Sequence, residues 1–452
     1  MQTWQSDLPA LSRALAPVFD ERDDPALDIE GAIPPALHGV FMRNGPNPRF
    51  APGPGYTYPF DGTGMIHAVY LDAGRARYRN RWVRTQEFNE EAAAGHRLYN
   101  AGFAPPPHAN LANTHVIHHA GRFLALYEGG LPYEIDAQLN TRGCYDGDGR
   151  LPAAMSAHPK LDPRTGELLS VTYNLRTGSL HYVRITPEGT VDRCVPIPSP
   201  WSAMIHDIAI TTRHVLAFVC PLVFDLDNPA APMRWSPERG ARLALIPREA
   251  RSAQDVRWVD GPAFFHWHTL NAFEEDGRID VTLPWYAGYG PGASDRRLAL
   301  HRIVIDARSG AWRDEPLDDQ ACEFGRINEA LLGQRARYGY VGLRQPRAGE
   351  VPQAGAFEAL ARYDLDTGAK QVFTLPAGVT AGEPVFVADP TGQAEDDGFL
   401  MVFTHIEGSP QGQFLILDAR DLGQGPLATV RLPRRVPGGL HGSWTPYDEA
   451  AS

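Results

Sequence analysis

The chain has 452 residues, 43 % of them apolar, and its 42 basic and 54 acidic side chains leave a formal net charge of −12. That balance excludes a nucleic-acid binder, which needs a cationic surface. No run approaches the ~20 consecutive apolar residues needed to span a bilayer.

In chain order, the N-terminus MQTWQSDLPALSRALAPVFDERDD has neither a cationic start nor an apolar core, so no signal peptide is expected. Within it, ALSRALAPVF (10–19) reads as a helix, as does INEALLGQRARY (327–338) later. The rest is mostly short apolar, β-branched or aromatic runs bounded by turn residues: RFLALYEG (122–129), HVLAFVC (214–220), RIDVTLPWY (278–286), LALHRIVID (298–306), YGYVGL (338–343), FLMVFTHI (399–406) and QFLILD (413–418). Each has strand length. Gly (44) and Pro (40) are spread along the chain as punctuation, together well above the usual ~12 %. That spread favours many short strands joined by tight turns over a helical bundle. Cys144, Cys194, Cys220 and Cys322 are isolated, with no CxxC, so neither a disulfide framework nor a thiolate zinc site is expected. A reducing, cytoplasmic setting fits this usage.

A turn pattern, Asp-x-x-[Thr/Ser]-Gly, repeats at Asp162–Gly166, Asp306–Gly310 and Asp364–Gly368, and a related Asp418-Ala-Arg-Asp follows. Asp caps the turn through its side chain and Gly supplies a positive φ. The last three recur about every 55 residues, each just after a strand-like run. That period suits a β-propeller with four-stranded blades. No clean linker divides the chain, so residues 1–452 read as one propeller domain. Pro/Gly-rich stretches at 49–59, 103–111 and 285–294 read as long loops over one face.

Common enzyme signatures are missing: there is no Walker A loop, GxGxxG, HExxH or GxSxG, and Lys160 and Lys370 are the two lysines. Four of the 16 histidines stand out by context. His158, His206, His268 and His441 each lie at the edge of a strand-like segment, with gaps of about 48, 62 and 173 residues. Those gaps approximate one, one and three blades. Inner strands of a propeller converge on its axis, so one His from each of four blades can meet there. His266 lies two residues before His268 and would share its side of a strand, so periodicity does not choose between them.

The segments around these residues resemble the carotenoid cleavage oxygenase family along nearly the whole chain. The matches run in order: MRNGPNP (42–48), FDGTGMIHA (60–68), ANTHVI (112–117), YEGGLPYEID (127–136), HPKLDPRTGEL (158–168), MIHDIAIT (204–211), HTLNAFEE (268–275), CEFGRINE (322–329), GEPVFVADP (382–390) and LHGSWTP (440–446). The family includes bacterial apocarotenoid and carotenoid oxygenases and is related to the lignostilbene dioxygenases and the retinal pigment epithelium isomerase. The resemblance implies an all-β, seven-bladed propeller, capped on one face by loops and short helices over an axial Fe(II). It assigns the metal to His158, His206, His268 and His441, the His-x-x-Asn-Ala-x-Glu pattern selecting His268 over His266. It implies that Glu128, Glu323 and Glu383 brace His206, His268 and His441. A ligating His usually donates its second N–H to such a partner. Thr114 matches a threonine whose methyl stands near an open iron position. Arg43-Asn44-Gly45 and the Asp61–Gly64 stretch read as structural, and His67 as a family histidine that is not a ligand.

The activity implied is cleavage of a carbon–carbon double bond by O2, giving two carbonyl products, with Fe(II) and no organic cofactor. The substrate would be a carotenoid or apocarotenoid, with hydroxystilbenes or related phenylpropanoids as the alternative. The stilbene branch typically carries Lys just before the first of the three glutamates; here Tyr127 stands there, and an aromatic wall suits a polyene. Family members using a polyene often dock peripherally on membranes, but no residue is assigned that role here.

Overall fold

The computed structural model describes residues 8–52, 58–100, 107–174, 178–225, 228, 232–290, 298–347 and 352–450. Parts of the three expected loops (53–57, 103–106 and 291–294) lie outside them.

Among the described residues, strands form seven sheets of four or more strands and one separate hairpin. The sheets make a seven-bladed β-propeller. Most are meanders, in which each strand pairs with the next in sequence. Examples are Asn271–Glu275, Arg278–Tyr286, Leu298–Asp306 and Trp312–Pro316. Two sheets break the order by joining distant parts of the chain. Gly442–Pro446 pairs antiparallel with Gly39–Pro46, and Asp28–Gly31 pairs with Pro426–Leu432.

The chain divides into two compact units. One comprises Met1–Tyr145, Arg344–Arg362 and Lys370–Ser452; the other comprises Asp146–Leu343 and Tyr363–Ala369. In the first, Gly39–Pro46 is buried along its whole length, because its two faces fill different cores. Phe41 packs with Val69, Leu71, Phe403, Phe414 and Ile416. Val40 and Met42 point the other way, to Ile66, Ala68, Val116 and Phe123. Alternate residues of a strand face opposite sides, which is why a blade strand reads as a continuous apolar run. In the second unit, Val171, Tyr182, Ile205, Ile208, Val215 and Ile246 form a comparable core. Each large side chain so buried stabilises by ~1.5–3 kcal/mol.

The expected strands match closely: Arg278–Tyr286, Leu298–Asp306 and Tyr338–Leu343 have the boundaries read from the sequence. The expected helices differ. Residues 10–19 contain only 3-10 turns, ending in Arg13–Leu15, and 327–338 contains only Glu329–Leu331. The first stretch is nonetheless anchored, with Val18 buried in a cluster with Met65, Trp82 and Phe88. The longest helix among the described residues is instead Gln86–Ala94, started by Thr85, whose hydroxyl accepts the Phe88 N–H, and ended by Gly95 at φ 75°. It buries only Phe88, so its sequence carries no apolar stripe to betray it.

The repeated turns form as expected. Gly166, Gly310 and Gly368 adopt φ of 71°, 79° and 75°. Each donates its N–H 2.8 Å to the carbonyl of the Asp four residues earlier. The Asp306, Asp364 and Asp418 turns each link the third and fourth strands of a meander, whereas the Asp162 turn links a first and second. That difference explains why only the last three share a period. All four cysteines are free.

Candidate metal centre

His158, His206 and His268 stand at equivalent places in three successive sheets of the second unit. Each lies two or three residues before a sheet's first strand, which begins at Lys160, Ala209 and Asn271 respectively. Equivalent placement brings the imidazoles together. The Nε2 atoms of His158 and His206 are 3.1 Å apart. The His268 ring centroid is 5.1 Å from each of the other two. One ring nitrogen of each lies within 4.8 Å of the others. His158 and His268 are buried, and His206 is half-buried with its ring edge-on to Trp267 at 5.0 Å.

His268 is fixed by a saturated carboxylate. Its Nδ1 lies 2.7 Å from Glu323 Oε2. The same oxygen accepts the Phe324 N–H at 3.0 Å, and Oε1 accepts the Tyr286 hydroxyl at 2.9 Å. The backbone makes this possible. The pairing register shifts between Glu323 and Arg326, and Phe324 takes φ 56°, so its N–H turns back onto the carboxylate. Beside these rings lies an ion pair between half-buried Lys160 and buried Asp207, Nζ to Oδ1 at 2.8 Å. Burial pushes the Asp207 carboxyl up, but Lys160, His268 and the Thr269 N–H outweigh it and hold the group at about 2.

His441 belongs to the first unit and directly precedes the closing strand Gly442–Pro446. Its Nδ1 lies 2.9 Å from Glu383 Oε1, and Glu383 Oε2 accepts the Gly442 N–H at 2.9 Å. Its own N–H donates 3.0 Å to the carbonyl of Thr114, and His115 packs edge-on to its ring at 5.5 Å. Thr114 is buried, its hydroxyl on Asn113 Oδ1 at 3.0 Å. Asn44 ties this corner together, donating from its side chain to the carbonyls of Ala112 and His115. Arg43 is buried beside it, held to about 10 mainly by that burial, and donates 2.7 Å to the Pro437 carbonyl. His67 Nδ1 lies 2.6 Å from the Tyr78 hydroxyl, and burial keeps the imidazole well below 6.5. These roles are structural.

Within the second unit, His158, His206 and His268 make up a ligand group that could hold a metal ion. The alternative residue, His266, is absorbed elsewhere. It packs edge-on to Phe218 at 5.2 Å and beside Phe264, which stacks on Trp285 at 4.0 Å. Burial lowers its pKa to about 4. Glu128 follows the strand Arg122–Leu126 and is half-buried, like its neighbour Tyr127. Gly129 makes room for the Tyr127 ring, since a Cβ there would lie 2.6 Å from it. Burial raises the Tyr127 phenol above its ordinary value, and the charges of Asp61 and Glu128 add to that. Sequence reading missed Tyr286, Asp207 and Lys160. The polar residues Asp207 and Lys160 adjoining two of the ligand histidines were the available signal.

No helix among the described residues is long and apolar enough to cross a membrane. The family model described as retinal pigment epithelial membrane protein matches residues 15–446. A carotenoid cleavage oxygenase of Mycobacterium tuberculosis is 36% identical, over 98% of this chain and 99% of its own. An isoeugenol monooxygenase of Pseudomonas nitroreducens is 31% identical, over 97% of this chain and 98% of its own. Among solved structures, the lignostilbene dioxygenase of Pseudomonas brassicacearum superposes with a TM-score of 0.92 at 31% identity, covering 98% of this chain and 100% of that one. With matches of this extent, the chain belongs to the retinal pigment epithelial membrane protein family, as an oxygenase of the carotenoid-cleavage type.

Proposed function

We propose that the chain holds one Fe(II) on His158, His206, His268 and His441 and cleaves a carbon–carbon double bond of a carotenoid or apocarotenoid. The bond and O2 are consumed together and two carbonyl products form, so no external reductant enters. The observation that supports this reading is a group of four histidines, two of which carry a carboxylate on Nδ1. Imidazole suits Fe(II), and neutral ligands leave the ion's charge to be balanced at one remove. Glu323 and Glu383 supply that balance through His268 and His441, and Glu128 is assigned the same part for His206. With Nδ1 of His268 and His441 on carboxylates, Nε2 of each ring would be the nitrogen to hold the metal. Bound there, Fe(II) would supply the activation of O2.

The protein's own residues position and exclude. The imidazoles of His268 and His441 are held by Glu323 and Glu383 before any substrate arrives, which lowers the reorganisation left to the reaction. Thr114, joined through its carbonyl to His441, is assigned to limit access beside the metal with its methyl group. No side chain is assigned as general acid or base. His268→Ala is expected to abolish metal binding and turnover together, measured by metal content and product formation.

Tyr127 supports a polyene substrate. A tyrosine is a neutral phenol at neutral pH, so it offers an aromatic face and one hydroxyl rather than a cation for a phenolate. The alternative is favoured by relatives whose names specify isoeugenol and lignostilbene. A paired assay decides. Iron-loaded protein is given an apocarotenal and a hydroxystilbene separately in air, and products are identified by mass. Cleavage of the apocarotenal alone is expected. Cleavage of the stilbene alone would reassign the substrate and leave the metal centre standing. A polyene substrate also implies uptake at a membrane surface by a cytoplasmic protein.

A further inference from the structure

The ion pair beside the histidines has a geometry that neither sheet requires. Asp207 is 1 % exposed and accepts four hydrogen bonds or ion-pair contacts through two oxygens. Oδ1 takes Lys160 Nζ at 2.8 Å and the Ile208 N–H at 2.7 Å. Oδ2 takes the Thr269 N–H at 2.7 Å and the Thr269 hydroxyl at 2.8 Å. The same hydroxyl lies 2.9 Å from the Ile208 carbonyl. Lys160 is two residues beyond His158, Asp207 directly follows His206, and Thr269 directly follows His268. One carboxylate therefore fastens the three chain segments that carry His158, His206 and His268.

Stability alone does not call for this arrangement. Desolvating two charges costs several kcal/mol per ion, and apolar side chains of similar size often serve a core equally well. What an apolar trio cannot supply is direction. Hydrogen bonds to two opposed oxygens set the orientation of each segment, whereas apolar packing leaves it to slide. Lys160 also cancels the carboxylate's charge, so the fastening adds no net charge beside the ligand set.

We infer that Asp207 is a positioning residue, which with Lys160 and Thr269 holds the imidazoles of His158, His206 and His268 in one ligand face. The inference rests on the metal reading above and adds to it the device that sets ligand geometry. Asp207→Asn tests it, because an amide has one acceptor oxygen and cannot serve both Lys160 and Thr269. Thr269→Val removes the hydroxyl and keeps the N–H, and Lys160→Met removes the cation.

The experiment loads the full-length protein with Co(II), as a spectroscopic stand-in for Fe(II). It records the visible absorption spectrum, the rate of metal release to a chelator, and the thermal midpoint. For D207N the expected result is a changed Co(II) spectrum and release faster by roughly 10- to 100-fold, the range for partners that orient metal ligands. T269V and K160M should show smaller changes in the same direction. A folded D207N with wild-type spectrum and release rate overturns the inference, and so does a lowered midpoint with both metal readouts unchanged. If D207N does not fold, T269V and K160M decide by the same two readouts. Failure of the wild-type protein to take up Co(II) or Fe(II) would instead sink the metal reading itself.

Discussion

Glu323 and Glu383 hold histidines through different backbones. Glu383 uses one oxygen for His441 and the other for the N–H of the next residue in the closing strand, Gly442. Glu323 needs a register shift and a positive φ at Phe324 to reach the same state, and it recruits Tyr286 besides. Both oxygens of each carboxylate are thus engaged, so neither glutamate can swing away without leaving a buried donor unsatisfied. Glu383→Gln keeps the size and loses the charge and one acceptor. It is expected to weaken metal binding on the order of 10- to 100-fold while the protein stays folded, as read by metal titration and circular dichroism. The glutamates were legible in the sequence as short matched segments. Tyr286 was not, because it lies 37 residues from its partner and a strand tyrosine is usually a packing residue.

At the scale of elements, the glycines that matter are those with backbone against them. Gly64 opens the strand Gly64–Asp72 and donates its N–H 2.8 Å to the Leu111 carbonyl. A Cβ there would lie 2.2 Å from the Ala112 carbonyl oxygen, and backbone cannot give way as a flexible side chain can. The segment it would push carries Thr114. Gly64→Ala is therefore expected to cost ~1–3 kcal/mol, the range for overpacking, measured by urea denaturation. Turnover per bound metal should fall as well, because Thr114 and the His441 N–H it accepts would shift. The strands themselves were readable, since residues buried on both faces leave continuous apolar runs. The helices misled: ALSRALAPVF has helical spacing, yet residues 10–19 lie against sheets and buried positions such as Leu11 and Ala14 are satisfied in 3-10 turns.

At the scale of the whole molecule, acid should weaken the fold through buried neutral histidines. Burial lowers His266 and His405 from 6.5 to about 4; for His405, Arg435 also contributes. Both ring nitrogens of His405 are buried with no hydrogen-bond partner. Between pH 6.5 and about 4 the unfolded chain takes up protons that the folded chain refuses, so stability falls as pH falls through that window. Urea denaturation at pH 7.5, 6 and 5 should show a declining unfolding free energy, and His405→Leu should flatten the decline. A profile that rises on acidification would contradict this assignment.

The amino-acid sequence by itself determined the repeated strand and turn chemistry, because short apolar runs and Asp–Gly turns are local. Its short segments also resembled the family's closely enough to single out His158, His206, His268 and His441, each just before a strand. What it left open was how those segments are held. Only the tertiary structure decided that His266 sinks into an aromatic stack while His268 meets Glu323. It decided too that Asp207 joins Lys160 to Thr269 across 47 and 62 residues of chain. The physical reason is range. Turns and strands are written in neighbouring residues, whereas a buried carboxylate's partners are chosen by the close approach of separate sheets, which no local pattern records.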